Sequence, residues 1–217
     1  MKKIYILISL IFTISSCVDS VDNKPKIQLD KEGEIDLSNA VNTKILLAEL
    51  NTNFTFNGEI VNPKLIAEFF PPINSDEPAI MSINLSGVNH SNKYYLDNSI
   101  KKEKDSTIEY VEKIENTYET IGYKWLGKLN NNVHVLSCFW NGGGSGVFSS
   151  LVFVNFTPAI FKNNGEIVNQ ININCLGVYS LGDRSSAKIK LNKIKNKVFI
   201  KNELFNEDKK EVFEIKF

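Results

Sequence analysis

From Thr107 to the C terminus, apolar and polar residues alternate over short runs, and Asn- or Gly-containing turns separate the runs. In the run from Val133 to Trp140, Val133, Val135, Ser137 and Phe139 fall on one parity. His134, Leu136, Cys138 and Trp140 fall on the other. A period of two places successive side chains on opposite faces of a strand. The run 147–156, VFSSLVFVNF, is almost continuously apolar, as in a strand buried on both faces. Further strand-like runs are STIEYVEKI, TYETIGYKWLGKL, EIVNQININCLGVYSLG, AKIKLNKIK, KVFIKNEL and EVFEIKF, rich in β-branched and aromatic residues. Turn signals stand between them at Asn130-Asn131-Asn132, Asn163-Asn164-Gly165, Lys195-Asn196 and Asn206-Glu207-Asp208. Short strands joined by short turns predict an antiparallel meander.

The N-terminal half is mixed. Asn62 followed by Pro63 predicts a capped helix start, and Pro71-Pro72 its end. Leu65, Ile66, Phe69 and Phe70 form the apolar face of that helix. The run NTKILLAEL, 42–50, is compatible with a helix or a strand, and AIMSINLSGV reads as a strand. HSNKYYLDNSIKKEKDST, 90–107, reads as a polar loop. The fold class is therefore mainly β (α+β): an antiparallel meander sheet or sandwich, with one or two short helices in the N-terminal half. Its length suits a single β-rich domain over residues 41–217.

The first residues stand apart. Lys2 and Lys3 precede an apolar run from Ile4 to Ile14, too short for a spanning helix, which needs ~20 residues. Ile14-Ser15-Ser16-Cys17 resembles the lipobox of bacterial lipoproteins: an aliphatic residue, two small residues, then Cys. The resemblance implies a signal peptide over 1–16 and lipidation of Cys17, the sulfur and the new amine both acylated. Several acyl chains make a durable anchor where one is marginal. Residues 17–40 are polar, broken by Pro25 and Gly33, and read as lipidated cysteine and flexible tether. Val18 stands after Cys17, where an Asp holds enteric lipoproteins at the inner membrane. The expected location is thus the bacterial cell envelope, lipid-anchored, at the outer membrane rather than the inner.

Charge narrows the partners. The chain carries 25 basic and 25 acidic residues, and 23 against 25 once Lys2 and Lys3 are set aside. That total carries no footprint for nucleic acid or an anionic surface. Arg184 is the only arginine, so no Arg cluster recognises phosphate or carboxylate. His90 and His134 lack Cys–His or His–His spacing, so neither a metal nor another cofactor is expected. The remaining cysteines, Cys138 and Cys175, fall on strands with one strand between them in a meander. Next-but-one strands are ~9.6 Å apart, beyond the ~7 Å a disulfide spans between Cα atoms, so two buried free thiols are expected.

The most unusual stretch is Asn141-Gly142-Gly143-Gly144-Ser145-Gly146. No Lys-Ser or Lys-Thr follows it and strands flank it, so it is neither a phosphate loop nor a dinucleotide fingerprint. Val147 stands where a nucleophile elbow needs its last glycine. Such a loop turns the chain through positive φ and exposes N–H groups as an anion nest, or serves as a wide hairpin turn. At least one of its glycines should have positive φ. Glu109, Glu112, Glu115 and Glu119 are the candidates for a carboxylate pair, set against a solvated sheet face. Gly182-Asp183-Arg184 reads as a turn that can put an ion pair at a strand end, with a partner-facing role as the alternative.

Gly143-Gly144-Ser145-Gly146-Val147-Phe148 and Leu181-Gly182-Asp183-Arg184 resemble the signature of an uncharacterised family of bacterial envelope lipoproteins. That signature is a Gly-Gly-Ser-Gly-Thr-Phe turn between strands, a Leu-Gly-Asp-Arg segment and a terminal strand pair. Val147 replaces the Thr. Relatives carry an Asp-rich, calcium-type loop where this chain has GKLNNN, Gly127 to Asn132, without a carboxylate, so no metal is carried over. The function expected is a lipid-anchored envelope binding or interaction module, of inhibitor or immunity type, with an envelope protein as partner and no nucleic acid. It has no catalytic residues, and its contact loop is 141–146. The alternative is a carboxylate-dependent envelope hydrolase.

Overall fold

The computed structural model describes residues 37–70, 80–86, 100–163, 166–202 and 211–216. Residues 1–36, which hold the segments read above as signal peptide, Cys17 and tether, lie outside them. So do Pro71-Pro72, His90, Asn164-Gly165 and Asn206-Glu207-Asp208.

The chain enters through α1 (Leu37–Asn53), a helix that takes in residues 37–40 of the stretch read as tether. Leu46, Leu47, Leu50 and Phe54 recur at helical spacing and pack on the sheet, which decides between helix and strand for 42–50. Phe54 stops the helix with φ 57°. A two-residue hairpin follows, β1 (Thr55–Phe56) and β2 (Glu59–Ile60). Asn57 and Gly58 turn it with φ of 56° and 79°, the positive angles a type I′ turn demands. This Asn-Gly signal is plain in the sequence, yet it is not among the turns expected above. Helix α2 (Pro63–Ala67) starts as expected, with Asn62 Oδ1 accepting from Lys64 N–H at 2.8 Å. Leu65, Ile66 and Phe69 are buried.

Seven antiparallel strands form the main sheet. In chain order they are β3 (Ser82–Asn84), β4 (Ile100–Lys102), β5 (Ile108–Ile114), β6 (Thr117–Lys128), β7 (His134–Asn141), β8 (Phe148–Asn163) and β9 (Glu166–Asp183). In space they run β3-β9-β8-β7-β6-β5-β4. The predicted meander holds from β4 to β9. The polar loop is shorter than expected, because residues 100–102 pair with β5 as an edge strand. The chain then leaves the sheet at Gly182 and Arg184, φ 93° and 48°. It builds a second sheet of β10 (Lys188–Asn192), β11 (Lys197–Asn202) and β12 (Glu211–Lys216). The sandwich, rather than one continuous sheet, is therefore the architecture.

Both faces of the main sheet are covered. On one, Leu136, Cys138, Val152, Val154, Ile171 and Ile173 meet Leu50, Phe54, Leu65 and Phe69 from the N-terminal elements. On the other, Val135, Leu151 and Phe153 meet Val198 and Ile200 of the small sheet. Alternate residues of β7 and β8 thus serve different cores, and this explains the near-continuous apolar run of β8. Cys138 and Cys175 are both buried free thiols. They share a face, and β8 runs between their strands. Burial pushes both thiols up, and the neighbouring Cys175 adds to the effect on Cys138.

Candidate functional site

Residues 142–147 link β7 to β8, whose last ladder pair is Trp140 with Phe148. Asn141 Oδ1 accepts from Gly143 N–H at 2.8 Å, a local turn that starts the reversal. Gly143 has φ 88°, as the loop required. A Cβ there would lie 2.7 Å from Thr117, so the loop is folded onto the start of β6. A Cβ on Gly142 would lie 2.8 Å from the Trp140 ring. On the other flank Asp183 Oδ1 accepts from Val147 N–H at 2.8 Å, and Arg184 N–H donates to Val147 O at 2.7 Å. Arg184 Nε also pairs with Asp183 Oδ2 at 3.2 Å, the ion pair expected at this strand end. The loop is therefore pinned on both sides, while Gly142, Gly144 and Ser145 are exposed.

Aromatic side chains flank it. Trp140 stacks on Phe148 with centroids 5.7 Å apart and an interplanar angle of 27°. Trp140 Nε1–H donates to Glu119 Oε1 at 2.5 Å. Phe148 is 45% exposed and Tyr118, at the start of β6, 60%. Ile114, across from Thr117, is exposed as well. Phe148, Tyr118 and Ile114 thus leave large apolar groups open to solvent beside the pinned loop. With Glu119 and Asp183 on its flanks and two of its N–H groups already bonded, the loop is poorly suited to an anion.

The four candidate carboxylates separate. Glu112 and Glu119 stand directly opposite each other on β5 and β6. Glu112 pairs with Lys64 of α2 at 2.5 Å, and the Lys64 amine lies 4.7 Å from the Tyr110 ring centroid. Glu115 occupies the β5–β6 turn with φ 51°. Glu109 has the opposite parity on β5. Burial raises its carboxyl, and Glu103 and Asp105 add to that. The pattern brings Glu112 and Glu119 together, and each already serves a structural partner.

His134 lies at the other end of β7, fully buried among Phe54, Trp125 and Phe156. Its Nε2 is 3.2 Å from Asn51 Oδ1, which also accepts from Lys128 Nζ at 3.2 Å. Burial, and secondarily the Lys128 charge, lower His134 to about 4, so the ring is neutral at physiological pH. Asn51 thereby ties the end of α1 to β6 and β7. Among the described residues, no group of three or more His, Cys, Asp or Glu side chains is placed to hold a metal.

Sequence reasoning finds the loop and misses the ledge of Trp140 and Phe148, because both read as core strand residues. Strand parity puts them on one face, but says nothing about whether that part of the face is covered. Compared with family models, curated proteins and solved structures, the chain matches none of them.

Proposed function

We propose that the protein is a non-catalytic interaction module of the bacterial cell envelope, anchored by lipid at Cys17. Its 141–146 loop and the aromatic ledge beside it receive a protein partner, and an inhibitor or immunity role is the concrete form. One observation carries this reading: a loop pinned from both sides stands beside aromatic residues left open to solvent. A rigid aromatic surface loses little side-chain entropy on binding, and Trp and Tyr dominate binding energy at interfaces.

The test is Ser145→Trp, with Phe148→Ala beside it. Ser145 is exposed, so its melting temperature should stay within a few degrees, equivalent to about 0.5 kcal/mol. Capture of the envelope partner held by the unaltered chain should be lost through bulk at the loop tip. Unchanged melting with unchanged capture would leave the loop as architecture only. The anchor is tested separately: Cys17→Ser should release the protein from membranes after a high-salt wash. A hydrolase reading has in its favour only the opposed Glu112 and Glu119. Glu119→Gln keeps an acceptor for Trp140, and loss of a hydrolytic activity in that variant would move the hydrolase reading first.

A further inference from the structure

The near-zero total charge averages over two oppositely charged parts. Residues 184–217 carry ten basic and five acidic side chains, net +5, and residues 1–183 carry fifteen and twenty, net −5. Between Arg184 and Asn202 there are seven basic residues and no acidic one. The total alone argues against an anionic partner surface; the distribution reverses that conclusion.

The fold concentrates this charge. Val198 and Ile200 of β11 face the core, so the alternate positions Lys197, Phe199 and Lys201 face outward. Their ladder partners bring Lys190, Lys188, Lys216 and Glu214 to the same outer face. Lys188 stands directly across from Lys201, and Lys197 directly across from Lys216. Like charges placed directly opposite are destabilising. Glu214 moderates the second pair by bonding Lys197 and lying 3.9 Å from Lys216. Five lysines against one glutamate thus occupy the described side chains of a three-stranded face.

The β10–β11 turn adds an apolar tip. Ile194 is 82% exposed between exposed Lys193 and Lys195. The turn is held in place: Asn130 N–H donates to Lys193 O at 3.2 Å, and Asn131 N–H to Asn196 Oδ1 at 3.1 Å. Asn196 reverses the chain with φ 50°.

We propose that this outer face and the Ile194 tip dock the domain on an anionic phospholipid bilayer. Three features select lipid over other polyanions. The charges are lysines, point charges on flexible stems that suit a diffuse anionic surface, whereas paired phosphate recognition favours arginine. An exposed aliphatic tip between lysines matches the headgroup boundary, where the apolar group enters and the amines stay at the surface. Basic residues near an anionic leaflet are attracted over a Debye length without a specific pocket. Eight residues of β7, ~3.3 Å each, separate the two ends of the sheet by roughly 25 Å. The Gly loop is therefore at the end remote from Ile194. The docking proposal does not depend on the loop's role.

The test places an indole at the tip, Ile194→Trp, in the full chain. The chain is reconstituted into vesicles with brominated acyl chains, with emission compared against the unaltered chain, which has Trp125 and Trp140. In vesicles of phosphatidylethanolamine and phosphatidylglycerol the introduced indole should be quenched, and high salt should relieve the quenching. In phosphatidylcholine vesicles it should not be quenched, although the lipid proposed at Cys17 would hold the chain on both. Adding Lys188→Gln, Lys190→Gln and Lys201→Gln should lower the docked-to-undocked ratio about five-fold per lysine, roughly a hundred-fold in all. Hydrogen exchange of 188–201 in the unaltered chain should slow only with the anionic vesicles. Equal quenching in both lipids, or none in either, overturns the proposal. So does protection of 188–201 by soluble polyphosphate without protection by anionic vesicles, which would assign the face to a polymer.

Discussion

The same face of the main sheet carries aromatic residues at both of its ends, and they meet different fates. At the turn end Trp125 and His134 are packed with Phe54, Tyr123 and Phe156, at centroid separations between 4.9 and 6.0 Å. At the loop end Trp140 and Phe148 stack at 5.7 Å with Phe148 half open to solvent. Phe54 makes the difference. It arrives from the end of α1 at a left-handed φ and caps the first group, and no described N-terminal residue packs over the second in the same way. Identical strand chemistry thus becomes core where an element lands on it and stays open to solvent where none does.

That comparison would break first at Phe54. Phe54→Ala should cost about 3–5 kcal/mol, because it removes a buried ring from four aromatic neighbours. Denaturant unfolding measures it. A loss below about 1 kcal/mol would mean that the turn end is no better packed than the loop end.

The buried histidine makes the turn end sensitive to pH. The folded value of about 4 lies below the ordinary 6.5. Between those values the unfolded chain binds a proton that the folded chain does not. Stability therefore falls as pH drops below 6.5, by roughly 1.4 kcal/mol per unit, and levels off below about 4, a total on the order of 3 kcal/mol. His134→Leu should flatten that part of the stability–pH curve whatever it does to stability at pH 7. An unchanged slope would place the effect on other groups.

Within the loop, two glycines separate by environment. Gly143→Ala should cost about 2 kcal/mol, since it combines positive φ with a clash at Thr117. Gly144 has open space around it, so Gly144→Ala should stay within about 0.5 kcal/mol. Equal effects would show that the loop is not pinned at Thr117. Phe148→Ala tests the ledge itself. With the ring 45% exposed it should cost about 1 kcal/mol, against the much larger loss at Phe54, while weakening partner capture. A loss matching that of Phe54→Ala would make the ledge core and remove it as a site.

Much of the fold was legible because it rests on short-range rules. Strand alternation alone puts Leu136 and Cys138 on one face of β7 and Val135 and Phe139 on the other. Asn62-Pro63 marks a helix start, and the glycines of 141–146 mark a positive-φ reversal between adjacent strands. The Asn57-Gly58 hairpin is equally legible and is easily passed over among longer elements. The lysine face is half legible: a count over 184–202 shows its charge, but total charge hides it.

By itself the sequence determined the β-rich class, the strand pairs along the meander, the position of the loop, and which residues of each strand share a face. These follow from backbone period and turn chemistry, which act over a few residues. Only the tertiary structure decided that the meander ends at β9 and folds over into a second sheet. It also decided that Phe54 covers His134, far along the chain, while Phe148 stays open beside a half-buried Trp140, and that lysines from β10, β11 and β12 share one outer face. Burial depends on which distant element lands where, and the period of a strand carries no record of that.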